Sequence, residues 1–131
     1  MKQMHHIIVS FGSNNNWREN KWQAIRLVRA LVVNPVFTPT LRSKDIYGSK
    51  KVYSNCLMDA LTEQPLKTLC RKLKCIETLC GNTASKRNHG VVDLDLDLLL
   101  YDSQRLHHLD WDRPYIIKLL RELENRKEHQ R

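Results

Sequence analysis

At 131 residues, with 41% hydrophobic and 27% charged side chains, the chain has the size and balance of one soluble domain with its own core. No apolar run approaches the length of a membrane span, and the N-terminal run has neither the length nor the cleavage pattern of a signal peptide, so a cytoplasmic protein is expected. The net charge of +8, from 22 lysines and arginines against 14 acids, favours anionic partners; the basic clusters are short (Lys50-Lys51, Lys86-Arg87), which ranks small phosphates ahead of nucleic acid.

Residues 5–11, rich in Ile and Val, read as a first strand. Residues 12–16 make a polar turn that offers several N-caps. Residues 17–33 read as a helix, because Ala24, Leu27, Val28, Leu31 and Val32 recur at spacings of three and four on one face. Asn34-Pro35 is expected to stop it. Residues 36–47 form a second strand, in which Pro39 marks an edge or a bulge. A polar turn over 48–51 leads to a third strand, 52–61, so residues 46–53 make a hairpin.

A second helix starts with Pro65 in its first turn and buries Leu66, Leu69, Leu73, Ile76 and Cys80; Gly81 ends it. Residues 82–89 form a polar, basic loop without an apolar anchor, of the kind that covers a site. A fourth strand spans 90–102. It alternates with period two, placing Val92, Leu94, Leu96, Leu98 and Leu100 on one face and Asp93, Asp95 and Asp97 on the other.

Same-face neighbours on a strand lie roughly 6.6 Å apart, Asp is a poor strand former, and like charges repel. Two readings account for three such residues in a row. One is the solvated outer face of an antiparallel sheet. The other is a site for a hard cation such as Mg²⁺, which takes carboxylate and phosphate oxygens.

Asp112 caps a last helix with Pro114 in its first turn. Its apolar face is Tyr115, Ile116, Leu119, Leu120 and Leu123, and residues 126–131 are expected to fray. The four cysteines are Cys56, Cys70, Cys75 and Cys80. Spacings of five put the last three on different faces of a helix, so they read as free thiols packing as small hydrophobes rather than as a zinc set. No repeat or linker divides the chain. The order β-α-β-β-α-β-α gives an α+β class: a ferredoxin-like split βαβ fold with a four-stranded antiparallel sheet, two helices packed on it and an additional C-terminal helix, in one domain over 1–131.

Four pieces of this pattern resemble a family. They are Gly12-Ser13-Asn14 after the first strand, Tyr53-Ser54-Asn55 in the third, Ile76-Glu77 with Gly81 at the end of the second helix, and Asp93-Leu94-Asp95-Leu96-Asp97 leading the fourth strand. Their order and spacing, over residues 6–120, resemble the 6-hydroxymethyl-7,8-dihydropterin pyrophosphokinases of folate synthesis. The resemblance implies a kinase that moves the terminal diphosphate of ATP onto the hydroxymethyl of a pterin.

In that family two alternating Asp hold two Mg²⁺ around the triphosphate. The spacing from Gly81 and Gly90 carries this catalytic, metal-holding role to Asp95 and Asp97, with Asp93 as an extra candidate ligand. The resemblance further implies Asn55, Tyr53 and Tyr115 as pterin-binding residues and Glu77, His107 and Arg113 as nucleotide-binding residues. All but Tyr53 also have a plainer reading. Asn55 is an Asn at a strand bulge, Tyr115 a core aromatic, Glu77 a solvated helix acid, His107 one of a surface pair with His108, and Arg113 a first-turn helix residue.

The chain departs from the family where it binds phosphate. Asn82 and Val92 stand at two family arginines, His89 at an aromatic on the adenine side, and the loop before the third strand is cut to residues 48–51. Lys86 and Arg87, in the same loop, are candidates to replace the lost charges. The leading expectation is a divergent, shortened pterin pyrophosphokinase using Mg²⁺ and ATP, with ATP and a pterin-like molecule as partners and no membrane. The alternative is a non-catalytic homologue that binds nucleotide or pterin. A nucleic-acid binder on the sheet would need aromatics displayed on an open face, and the Asp strand carries carboxylates instead.

Overall fold

In the computed structural model, which describes residues 3–44 and 51–129, two long antiparallel strands run through the middle. They are β1 (His5–Ser13) and β4 (Val52–Thr62), in unbroken register from His5↔Thr62 to Ser13↔Ser54. Their near-continuous apolar runs suit burial on both faces. β5 (Asp95–Tyr101) lies along the other side of β1, and the short β6 (Gln104–Arg105) folds back on it. β2 (Val33–Phe37) and β3 (Leu41–Lys44) share the outer edge of β4. The order is β2-β4-β1-β5-β6, with β3 beside β4 and every pair antiparallel. This is the split βαβ arrangement, built among the described residues with six strands rather than four.

The extra strands have local causes. Pro39 has no N–H to give, and Thr38 turns its hydroxyl and its backbone N–H to Leu57, which ends β2 and lets β3 restart at Leu41. Asn34 adopts φ 53° and the register shifts between Val33 and Val36. Asn34-Pro35 is therefore a bulge inside β2 rather than a helix stop. The expected turn over 48–50 and the hairpin arm from 46 lie outside the described residues.

α1 (Trp17–Arg29) and α2 (Leu66–Leu79) cover one face of the sheet. There Val9, Phe11, Ala24, Val28, Leu69, Leu73, Leu94, Leu96 and Leu98 form the main core. α4 (Pro114–His129) packs on the opposite face, where Ile8, Leu57, Leu99, Ile116, Leu119 and Leu123 make a second core. The last helix thus covers the face that a sheet-borne nucleic-acid site would use. It begins at Pro114 as expected, but Asp112 ends a 3-10 turn (His108–Asp112) and does not cap it.

Three differences from expectation bear on the site. α3 (Ala84–Asn88) forms inside the expected loop, with the Thr83 hydroxyl accepting from Lys86 N. The fourth strand starts at Asp95, not at 90. α4 continues to His129, and Lys127 Nζ lies 3.0 Å from Asp59, whose carboxylate also takes His6 Nε2 at 2.6 Å. Residues 126–129 of the stretch expected to fray are helical, and 130–131 lie outside the described residues. Cys56 and Cys80 are buried and Cys70 and Cys75 exposed, so only two of the thiols pack as hydrophobes. Burial pushes the Cys56 thiol up to about 11. Among the described residues no helix is long and apolar enough to cross a membrane.

Candidate active site

A cleft of about 370 Å³ opens beside the C-terminal half of β1. Ser10 and Gly12 form its floor; Ser43 and Lys44 of β3, and Tyr53 and Asn55 of β4, form one wall. Asp95 and Asp97 of β5 with Arg87 of α3 form the other, and Arg113 and Tyr115 close one end. The structure thus gathers Asp95, Asp97, Asn55, Tyr53, Tyr115 and Arg113, and leaves Asp93, Glu77 and His107 off the cleft surface.

Period two is what puts Asp95 and Asp97 together. Leu96 and Leu98 fill the core side of β5, with Leu94 just before it in the same core, so the alternating aspartates Asp95 and Asp97 must face the cleft. Burial, and then the neighbouring charge of Asp95, push the Asp97 carboxyl up to about 7. Among the described residues no group of three or more His, Cys, Asp or Glu could hold a metal. Two adjacent carboxylates are a half-site of hard oxygen donors, which fits Mg²⁺ completing its shell with phosphate oxygens and water.

Asp93 has a different fate. Ser13 and Asn14 tie down the chain just before it: Asn14 N donates to Val92 O (2.9 Å), Val92 N to Asn14 Oδ1 (2.8 Å), and Asn14 Nδ2 to Gly90 O (2.8 Å). Residues 91–94 therefore leave the ladder, and Asp93 turns inward. Its carboxylate takes Lys86 Nζ at 2.6 Å and Asn15 Nδ2 at 2.7 Å. Burial opposes ionisation there, but those two hydrogen bonds hold the carboxyl below its ordinary range. The Asn side chains expected as helix caps fasten this segment instead; Asn16, which precedes α1, makes no side-chain cap bond.

Glu77 is 4% exposed, not solvated. Among the described residues no strand lies beside the outer edge of β5 along residues 95–97, since β6 pairs only with Leu100 and Tyr101. The Glu77 carboxylate takes that place, accepting Leu96 N–H at 2.7 Å between the two cleft aspartates. Lys74 Nζ lies 3.2 Å away and Arg87 Nη2 3.7 Å. Burial raises its carboxyl in spite of the Leu96 hydrogen bond and Lys74.

Asn55 is buried in regular register, opposite Gly12 on one side and Leu41 on the other, and not at a bulge. A Cβ on Gly12 would stand 2.9 Å from Asn55 Oδ1, so the glycine is what lets the amide lie against β1. Tyr115 is half-buried; it packs against the α4 core as a core aromatic and also lines the cleft. Arg113 Nε donates to Asp110 Oδ1 at 2.8 Å. His107, at φ 51°, is exposed with Nε2 3.9 Å from Asp97 Oδ1, and His108 is exposed beside it.

The two candidate replacement cations diverge. Lys86 is taken up by Asp93 and by Gly81 O at 3.1 Å. Arg87 reaches the cleft, with Nη2 3.4 Å from Asp95 Oδ1. Asn82, turned so that its amide oxygen faces the guanidinium, accepts from Nη2 at 2.6 Å and Nε at 2.8 Å. Consecutive positions on a helical turn point about 100° apart, a signal that separates the two once Thr83 is read as a cap. The family's second arginine position holds Val92, an apolar part of the cleft wall.

No curated protein matches the chain. The family model of the 7,8-dihydro-6-hydroxymethylpterin-pyrophosphokinases matches residues 8–125.

Proposed function

The chain belongs to the 7,8-dihydro-6-hydroxymethylpterin-pyrophosphokinase family, and on that premise we propose that it transfers diphosphate from ATP to a pterin hydroxymethyl group in this cleft. The observation that carries the reading is the pair Asp95 and Asp97 facing a cleft that also holds Asn55. In the transfer the hydroxymethyl oxygen bonds to the β-phosphorus. The bond from that phosphorus to the oxygen bridging to the α-phosphate breaks, its electrons leave with AMP, and the hydroxyl proton passes to water. Asp95 and Asp97 would hold Mg²⁺, which when bound supplies charge neutralisation and in-line placement of the phosphates.

The protein's own groups then orient the reactants. The Asn55 amide, with donors and acceptor, suits the mixed edge of a pterin. Tyr53 and Tyr115 offer ring faces. Arg113 can fork onto phosphate in exchange for Asp110, and His107 can donate to it. Glu77 acts from behind, setting Leu96 and so the spacing of the two aspartates.

A second reading, a homologue that binds nucleotide or pterin without turnover, is favoured by Asn82 and Val92 at the two family arginine positions. AMP release from ATP and Mg²⁺, with and without 6-hydroxymethyl-dihydropterin, separates the two. Pterin-dependent AMP is expected for the transferase. Calorimetric binding of Mg-ATP without AMP supports the second reading. Asp95→Ala with Asp97→Ala should abolish Mg-nucleotide binding, and its retention would sink the metal assignment.

A further inference from the structure

The loop that lacks the family arginines is held shut from inside. Thr83 caps α3, Lys86 Nζ spans Asp93 and Gly81 O, and Val91 N returns to Lys86 O at 2.8 Å. Lys86 is thereby committed to fastening. Arg87, one residue on, lines the cleft wall, 39% exposed, with Nη2 on Asp95 and 3.7 Å from Glu77. Asn82 completes its hold, so the residue at the lost arginine position serves as a seat for another arginine.

A guanidinium and a divalent cation compete for one carboxylate. A metal on Asp95 would drive the guanidinium off it by like charge, while Asn82 and Glu77 would keep it at the cleft edge, within reach of the phosphates of a nucleotide held by that metal. We propose that Arg87 is the removable counter-ion of the Asp95–Asp97 pair and, when displaced, the cation that binds the transferred diphosphate. This rests on the pyrophosphokinase reading above.

The signature is a pair of opposite effects, which a merely structural role does not produce. In the full chain Arg87→Ala, on an exposed helix face, should bind Mn²⁺ alone more tightly, because a competitor has gone. It should bind Mg²⁺ with a non-hydrolysable ATP analogue more weakly, by about tenfold to a hundredfold, the worth of hydrogen bonds to a charged group. AMP release should fall on the order of a hundredfold in kcat. Arg87→Lys should fall between, since a point charge replaces a fork. Lys86→Ala loosens the loop without uncovering Asp95, so it should weaken nucleotide binding and leave Mn²⁺ affinity unraised.

Arg87→Ala that matches wild type in both titrations, or weakens nucleotide binding without tightening Mn²⁺ as Lys86→Ala does, overturns the inference and leaves the pyrophosphokinase reading standing. A wild-type chain that binds neither Mn²⁺ nor the Mg-nucleotide overturns both.

Discussion

Glu77 offers the sharpest test of how the metal-facing strand is held. Replacing it with Ala leaves the Leu96 N–H buried without an acceptor, at about 1–3 kcal/mol, and removes packing worth about 1 kcal/mol. Part returns, because burial disfavours the ionised carboxylate in the first place, and we expect a net loss of about 2 kcal/mol. Glu77→Gln keeps an oxygen for Leu96 and should cost less than about 1 kcal/mol.

The pH dependence has a definite sign. The folded carboxyl is raised from its ordinary 4.5, so the folded state holds this proton more tightly than the unfolded chain. Its contribution to stability falls as pH rises from about 4.5 through the raised value, and Glu77→Gln flattens that slope. Urea denaturation of the three proteins between pH 4 and 8, with Mg-nucleotide calorimetry on each, reads all of this. Glu77→Ala within about 0.5 kcal/mol of wild type, a loss inside ordinary surface variation, or Glu77→Gln as damaging as Ala, would refute the edge-capping role.

Gly12→Ala places a methyl 2.9 Å from Asn55 Oδ1. It should weaken pterin binding by about tenfold, or 1.4 kcal/mol, and leave nucleotide binding near wild type, as fluorescence titration with each ligand would show. In the metal-free protein a carboxyl-detected NMR titration should place the Asp97 midpoint at about 7, lowered by Asp95→Asn. Since that carboxyl is raised from 3.8 to about 7, its contribution to stability falls with rising pH across that interval. Lys127→Met leaves Asp59 to His6 alone and should cost about 1 kcal/mol in chemical denaturation. Thiol labelling should find Cys70 and Cys75 fast, with Cys56 and Cys80 reacting only on unfolding.

Much of this arrangement is legible in the chain because it follows from period. The stripes Leu69, Leu73, Ile76 and Ile116, Leu119, Leu123 are buried as their spacing predicts. The alternation through Asp95 and Asp97 leaves the carboxylates no other face. Pro39 marks the break in the edge strand. What period cannot show is where a ladder stops for lack of a partner. Asp93 continues the alternation perfectly, yet Asn14 takes its backbone neighbours and Lys86 its carboxylate, from 79 and 7 residues away. Glu77 reads as a surface acid because its reason for burial, Leu96 N–H, lies in another element. Only α3 carried a local sign that polar composition hid, the cap at Thr83.

The knot of His6, Asp59 and Lys127 has a practical consequence. It brings the start of β1 and the end of α4 to one pole of the sheet. From His6 to Gly12 along β1 is roughly 20 Å, and the cleft lies toward the Gly12 end. A surface linker or fused reporter joined to the chain at the His6 end of β1 or the Lys127 end of α4 would start from the pole opposite the cleft, so biosensor formats tethered from the two sides should report the same ligand affinities.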